Sequence, residues 1–239
     1  MVFGTIKEQL DTIFREDPAA KSIIEIILCY PGFHAILFHR LAHALHNTGV
    51  PLVPRVISQL SRFLTGVDIH PGARIGRRFF IDHAMGVVIG ETAEIGDDVL
   101  IYQGVTLGGT GNERGKRHPT LGNHVVVGSG AKVLGSIKIG DHVKIGAGSV
   151  VVKPVPDHCT VVGIPGRIVK GEGAGIATGH ELDHGALPDL EMEETADLRR
   201  RVAELEAVVR SLADRRTITD RRRANADAND SVHGELTLD

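Results

Sequence analysis

The sequence predicts a parallel β-helix set between a helical N-terminal region and a helical tail, and three spacings predict it. Between residues 66 and 168 an aliphatic residue recurs every six positions. Before that stretch, apolar residues recur four apart; after it, they alternate four and three apart. A period of six fits neither an amphipathic helix nor an alternating strand. It is the repeat of a chain that winds in flat-sided parallel coils.

Residues 1–65 form the first region. Phe33, Leu37, Leu41 and Leu45 fall four apart, with Ile36 and Ala44 beside them, which marks a helix with one apolar face. Pro18, Pro31 and Asn47-Thr48-Gly49 divide the region into several short helices. His34, His39, His43 and His46 fall in the third of these and are assigned to helix surface and packing.

Residues 66–170 form the second region. The frame runs Ile69, Ile75, Ile81, Val87, slips by two, and continues through Ile89, Ile95, Ile101 and Leu107. After a longer break it resumes at Leu121, Val127, Val133, Ile139, Ile145 and Val151. Gly follows at Gly76, Gly90, Gly96, Gly108, Gly122, Gly128, Gly140 and Gly146, where the backbone crowds or turns. Each hexapeptide is one side of a coil, with its aliphatic residue inward; three sides give a coil of about 18 residues, and the segment holds roughly five. Leu121 comes fourteen positions after Leu107 where six would keep the frame, so a Gly-rich, basic loop is extruded. It includes Gly108-Gly109-Thr110-Gly111 and Gly115-Lys116-Arg117-His118-Pro119. A loop of that kind on a rigid coil is a place for function; a tolerated surface insertion is the alternative.

Residues 171–239 lose the period. A Gly-rich linker at 171–179 precedes Leu198, Val202, Leu205, Val209 and Leu212, a heptad seam of about two repeats that reads as a short coiled-coil helix. Residues 217–239 are polar and charged and are expected to be disordered.

Composition narrows the function classes. With 4% aromatics, no Trp and 29 Gly, the core suits thin regular layers. The net charge of −3 argues against a nucleic-acid binder. Residues 1–171 carry 18 basic and 14 acidic side chains, while 172–239 carry 9 and 16. A mildly basic body favours a polyanionic small ligand; a solvated acidic tail explains the same asymmetry. Cys29 and Cys159 form no metal or disulfide motif, no signal peptide opens the chain, and no run of 18 apolar residues occurs. A cytoplasmic protein, off the membrane, is expected.

Two groups could do chemistry. Asp68-Ile69-His70-Pro71 opens the coils, and Asp82-His83 follows a little less than one coil later. An Asp–His pair across stacked coils fixes one imidazole tautomer and leaves the other nitrogen as a base. Deprotonating a hydroxyl as it attacks a thioester suits such a base, and is typically worth about 10²–10⁴ in rate. Surface histidines on coil corners are the competing reading.

The motif set resembles the serine O-acetyltransferases. It comprises Thr65-Gly66-Val67-Asp68-Ile69-His70-Pro71-Gly72, Ile81-Asp82-His83-Ala84, Val88-Ile89-Gly90-Glu91-Thr92, Val105-Thr106-Leu107-Gly108-Gly109-Thr110-Gly111 and Arg117-His118-Pro119. Lys144-Ile145-Gly146-Ala147-Gly148-Ser149-Val150-Val151, Val162-Gly163-Ile164-Pro165-Gly166-Arg167, Arg15-Glu16-Asp17-Pro18-Ala19 and Pro31-Gly32-Phe33-His34-Ala35 extend it across roughly residues 11–170. The resemblance implies a left-handed β-helix and transfer of acetyl from acetyl-CoA to L-serine, with no permanently bound cofactor. It implies His83 as general base oriented by Asp68, and Asp17, Asp82, Arg117 and His118 as the serine site, with Arg117 on the carboxylate. It places acetyl-CoA near Gly109, Ser129 and Lys144, in a groove between subunits of a homotrimer. Met85 departs from the Thr usual after Asp-His-Ala. The N-terminal region is short beside members that pair trimers into hexamers, which favours a single trimer. Members that dock cysteine synthase often end in Ile; this chain ends Glu235-Leu236-Thr237-Leu238-Asp239, which argues against that partnership.

Rival classes are a γ-type carbonic anhydrase holding zinc with His83, His118 and His124, an acetyltransferase for another hydroxyl, and a scaffold acting through its tail. The Gly-Gly-Thr-Gly and Arg-His-Pro loop has no role in the first. Asp17 and Arg117 suit an amino-acid zwitterion better than a sugar.

Overall fold

A computed structural model describes residues 2–112, 114–170 and 195–209 of the chain. Four helices come first: α1 Val2–Glu16, α2 Ile23–Cys29, α3 Pro31–Asn47 and α4 Val53–Thr65. The expected punctuation is where they break. Pro18 follows α1, Pro31 opens α3, and Gly49 turns the chain after it at a φ of 78°. Ser22 caps α2 by accepting from the Glu25 N–H at 3.1 Å. Gly66 ends α4 in the left-handed region, at a φ of 73°, with its N–H on the Arg62 carbonyl.

Three parallel sheets follow, one per side of a triangular coil. Sheet A stacks β1 Asp68–Ile69, β4 Val88–Ile89, β7 Thr106–Gly108, β10 Lys132–Leu134 and β13 Val150–Val151. Sheet B stacks β2 Arg74–Ile75, β5 Glu94–Ile95, β8 Thr120–Leu121 and β11 Lys138–Ile139. Sheet C stacks β3 Phe80–Ile81, β6 Leu100–Ile101, β9 Val126–Val127, β12 Lys144–Ile145 and β14 Thr160–Val162, closed by antiparallel β15 Arg167–Lys170. The register puts the expected frame residues directly over one another: Ile69–Ile89–Leu107–Val133–Val151, Ile75–Ile95–Leu121–Ile139, and Ile81–Ile101–Val127–Ile145. These side chains form one buried column, so burial and the backbone ladder enforce the same register.

Both frame breaks fall on corners. The two-residue slip is at His83 and Ala84, which sit at φ of 56° and 58°. The long break is the loop between β7 and β8. The prism therefore has three edges. The first joins sheet C to sheet A and carries Asp82–Val87. The second joins A to B and carries His70, Glu91, Thr92 and the extruded loop. The third joins B to C and carries His124, His142 and His158, whose rings stack with centroids 4.7 and 4.8 Å apart.

Neighbouring coils exchange backbone hydrogen bonds in both directions, the Asp68 N–H donating to Val87 O at 2.9 Å and the Gly86 N–H donating back to Gly66 O at 2.9 Å, so a first-coil carbonyl that points away from the second coil has no coil to meet. The first coil is thus left with carbonyls that no further coil covers. The helices supply the donors. Gln9 Nε2 donates to Phe79 O at 3.1 Å, Arg40 to Ile75 O and Gly76 O, and Ser58 Oγ to Ile69 O at 2.8 Å. His43 Nδ1 lies 2.7 Å from Pro71 O.

His39, expected on the helix surface or in packing, is a packing residue, 3% exposed in the seam between α3 and the first coil. In the second unit, residues 195–209 are helical, and Leu198, Val202, Leu205 and Val209 are exposed on it. Leu212, the linker at 171–179, the polar segment from Thr217 and the C-terminal residues on which a cysteine synthase contact would turn lie outside the described residues. Among the described residues no single helix is long and apolar enough to cross a membrane.

Burial, reinforced by the charges of Arg40 and His43, pushes the His39 imidazole down to about 3. The unfolded chain therefore takes up a proton near pH 6.5 that the folded chain refuses. Stability is full above that pH and falls as pH drops toward 3, by about 1.4 kcal/mol per unit for this group. The urea midpoint of the native protein is expected to fall more steeply from pH 7.5 to 5 than that of His39→Leu; parallel curves would remove His39 from the account.

Candidate active site

The first edge holds an acidic pocket beside a protruding imidazole. The two extra residues at the corner force His83 and Ala84 into the left-handed region, a conformation that costs about 1–3 kcal/mol for residues with a Cβ. Tight backbone bonds hold it: the Ala84 N–H donates to Asp82 O at 2.7 Å and the Met85 N–H to His83 O at 2.6 Å. The outcome is a His83 side chain that is 75% exposed, with Nε2 4.0 Å from Asp82 Oδ2.

Asp82 lies half-buried behind it. Burial raises its carboxyl above the usual range, and the charge of Asp17 raises it further; His83 acts in the opposite direction. Asp17 directly follows α1. Its Oδ1 accepts from the Ala19 N–H at 2.7 Å, and its Oδ2 accepts from Tyr30 Oη at 2.6 Å. Burial and the Asp17 bond push the Tyr30 phenol up. Tyr102, one coil beyond Asp82, is pushed up by burial and then by Asp82, Glu16 and Asp17. Two carboxylates, crowded and partly dry, make a pocket whose electrostatic deficit a cation relieves.

The second edge holds a cationic counterpart. The Arg117 guanidinium is 3.5 Å from Glu91 Oε2, and Lys116 Nζ donates to Thr92 O at 2.6 Å. His118 is buried. Its Nδ1 accepts from the Thr92 N–H at 3.1 Å and lies 2.9 Å from Thr92 Oγ1. Its ring lies on Gly90, where a Cβ would come within 2.0 Å of Nε2. Burial, then the charge of Arg117, lowers its pKa; Glu91 acts in the opposite direction, and Lys116 lowers it further.

Of the residues singled out by sequence, Asp17, Asp82 and His83 come together on the first edge, and Arg117 and His118 on the second. Asp68 does not meet His83. It stands on the neighbouring coil of the first edge, with Oδ2 3.5 Å from Arg62 Nη1, and the carboxylate at His83 is that of Asp82. Gly109 adjoins Arg117: a Cβ there would meet Arg117 O at 3.3 Å. Ser129 is on the first edge, stacked through Gly130 N to Gln103 O, and Lys144 opens β12 on sheet C. His83, His118 and His124 lie on three different edges, and no cluster of three or more metal-ligating side chains occurs among the described residues.

A family model described as bacterial transferase hexapeptide (six repeats) matches residues 118–153. Serine acetyltransferase of Bacillus pumilus is 56% identical over 213 residues, which is 89% of this chain and 97% of that relative. The chain belongs to the serine acetyltransferase family. The family member of Brucella abortus, solved with coenzyme A, matches with a TM-score of 0.69 at 44% identity, over 72% of this chain and 69% of its own. Soybean serine acetyltransferase solved with serine matches with a TM-score of 0.68 at 45% identity, over 70% of this chain and 68% of its own. The coils are accordingly those of a left-handed parallel β-helix, an exception to the usual right-handed crossover.

Sequence reasoning passed over Tyr30, Tyr102, Glu91 and Thr92 as working residues. Tyr102 stands twenty residues after Asp82, one coil in this part of the frame, so spacing could have placed it. Tyr30 carries no such signal, since it reaches Asp17 across a helix junction. The coupling in the acidic pocket has a direct check. In Asp17→Asn the Asp82 carboxyl is expected to titrate at lower pH than in the native protein, by carbon NMR, because one of the charges that raise it is gone. An unmoved midpoint would mean that the two carboxylates do not sense each other.

Proposed function

We propose that this chain transfers acetyl from acetyl-CoA to the hydroxyl of L-serine, giving O-acetyl-L-serine and CoA, the activated serine consumed in cysteine biosynthesis. The observation that carries the proposal is the exposed His83 beside the Asp17/Asp82 pocket, in a chain 56% identical to a serine acetyltransferase.

His83 acts as general base. It takes the serine hydroxyl proton as Oγ attacks the thioester carbonyl; the tetrahedral adduct collapses, the C–S bond breaks, and the imidazolium returns the proton to the CoA sulfur. Asp17 and Asp82 receive the serine ammonium, and the relief of their mutual repulsion favours that cation. Arg117 takes the carboxylate, with a planar fork matched to it, and His118 donates from Nε2. Asp68 orients His83 once the site is filled, leaving Arg62. Acetyl-CoA is a co-substrate, lying near Gly109, Ser129 and Lys144.

The two ends of serine are thus served from different edges of the prism. A side of about six extended residues spans up to roughly 20 Å, too far for one serine. A second copy, set against sheet A, brings the first edge of one chain to the second edge of another. A homotrimer closes three such sites, and each takes residues from two chains. The cytoplasm is the proposed compartment: it keeps thiols reduced, and Cys29 and Cys159 are both free.

Serine-dependent thiol release is expected to collapse in His83→Ala with the fold intact, and to fall less in Asp68→Asn, which only misorients the base. Arg117→Ala is expected to raise KM for serine more than KM for acetyl-CoA. Near-normal turnover in His83→Ala would remove the base, and equal rises in the two constants would move Arg117 to the coenzyme site.

A further inference from the structure

The loop that carries Arg117 and His118 leaves the β-helix after β7 and rejoins it at β8, and a connection of that length does not by itself aim two side chains. One residue on the coil beneath gathers it. Thr92 Oγ1 accepts the backbone N–H of Arg117 at 3.0 Å and that of His118 at 3.1 Å. Those two donors occupy the lone pairs of the hydroxyl oxygen, so its hydrogen is directed to the remaining partner, His118 Nδ1, at 2.9 Å. The Thr92 N–H adds a second donor to the same nitrogen at 3.1 Å, and Thr92 O accepts Lys116 Nζ at 2.6 Å. All five bonds run between one threonine and three consecutive loop residues.

We infer that Thr92 is the positioning residue of the carboxylate end of the serine site: its hydroxyl fixes the backbone of Arg117 and His118 and holds His118 as the Nε2–H tautomer. The inference rests on the reading of Arg117 and His118 as serine ligands. An imidazole whose Nδ1 is committed as an acceptor presents a neutral N–H at Nε2. That is a donor beside the Arg117 guanidinium, matched to a substrate oxygen. Gly90 completes the seat, because any Cβ at that position would strike the His118 ring. The hydroxyl touches neither substrate nor coenzyme in this scheme. Its effect reaches serine only through the two loop residues.

The test compares Thr92→Val, which keeps the shape and removes the hydroxyl, with Thr92→Ser, which keeps the hydroxyl. Thr92→Val is expected to raise KM for serine about tenfold or more, since two backbone N–H groups and a ring nitrogen lose their partner. KM for acetyl-CoA stays within about twofold, and Thr92→Ser stays near the native values. Amide hydrogen exchange of Arg117 and His118 in the ligand-free protein is expected to accelerate in Thr92→Val alone. Equal rises in both Michaelis constants, a serine variant as impaired as the valine one, or unchanged amide exchange would each overturn the inference. Nitrogen NMR of the native protein supplies a check that needs no variant: His118 must show a bare Nδ1 and a protonated Nε2, and the reverse tautomer would also overturn it. Arg117→Ala separates this from the underlying reading. If that variant leaves KM for serine unchanged, the serine assignment itself has failed; if it raises KM while Thr92→Val does not, only the role of Thr92 has.

Discussion

The backbone ladder between neighbouring coils, N–H to C=O in both directions, governs everything else in the molecule. It stacks Ile89 on Ile69 and Leu107 on Ile89, and the same step carries every residue of a side onto its counterpart. Buried aliphatic side chains lock that step, because a slip of one residue would turn them outward. A chain so constrained can take in extra residues only at a corner. The two places where it does so, His83-Ala84 and the loop from Gly109, are where the proposed base His83 and the proposed carboxylate ligand Arg117 stand. Rigidity of the sides and freedom of the corners are the same constraint seen twice.

The ladder also has an open end, and the N-terminal helices answer it. Gln9, Arg40 and Ser58 lay donors on carbonyls that no coil covers. In closing the end, α1 brings Asp17 and the start of α3 brings Tyr30 to the first edge, next to Asp82. An acidic pocket is built where a helical cap meets the β-helix, from groups contributed by both. Burial there raises the cost of charge on Asp82, and the adjoining Asp17 increases it. Such a pair favours an ammonium group over a neutral ligand. The cationic partner, Arg117, stands on another edge, and the geometry of a rigid prism keeps it there.

Much of this was legible in the sequence. The frame residues, their two breaks and the helix punctuation by Pro18, Pro31 and Gly49 follow from spacing alone, because the inward position recurs at a fixed interval and one aliphatic residue fills it. His83 and Arg117 were legible as residue types in motifs. What spacing does not carry is side-chain direction. Asp68 and Asp82 both offer a carboxylate near His83 by coil count; the corner turn brings Asp82 close, while Arg62 of α4 engages Asp68. Thr92 reads as an ordinary strand-end threonine until the loop above it folds back and places two amide N–H groups on its hydroxyl. Such roles depend on contacts between segments about 25 residues apart, which a six-residue period does not encode.

The central claim is that neither edge of a single chain makes a complete site. Mixed assembly of two impaired variants tests it most directly. His83→Ala and Arg117→Ala subunits, unfolded together, refolded and assayed at serine well below KM, are expected to regain activity that neither has alone. In such an assembly some sites pair the intact His83 of one chain with the intact Arg117 of another. If each chain carried its own whole site, every site in the mixture would keep one lesion, and a mixture no more active than its components would contradict the account.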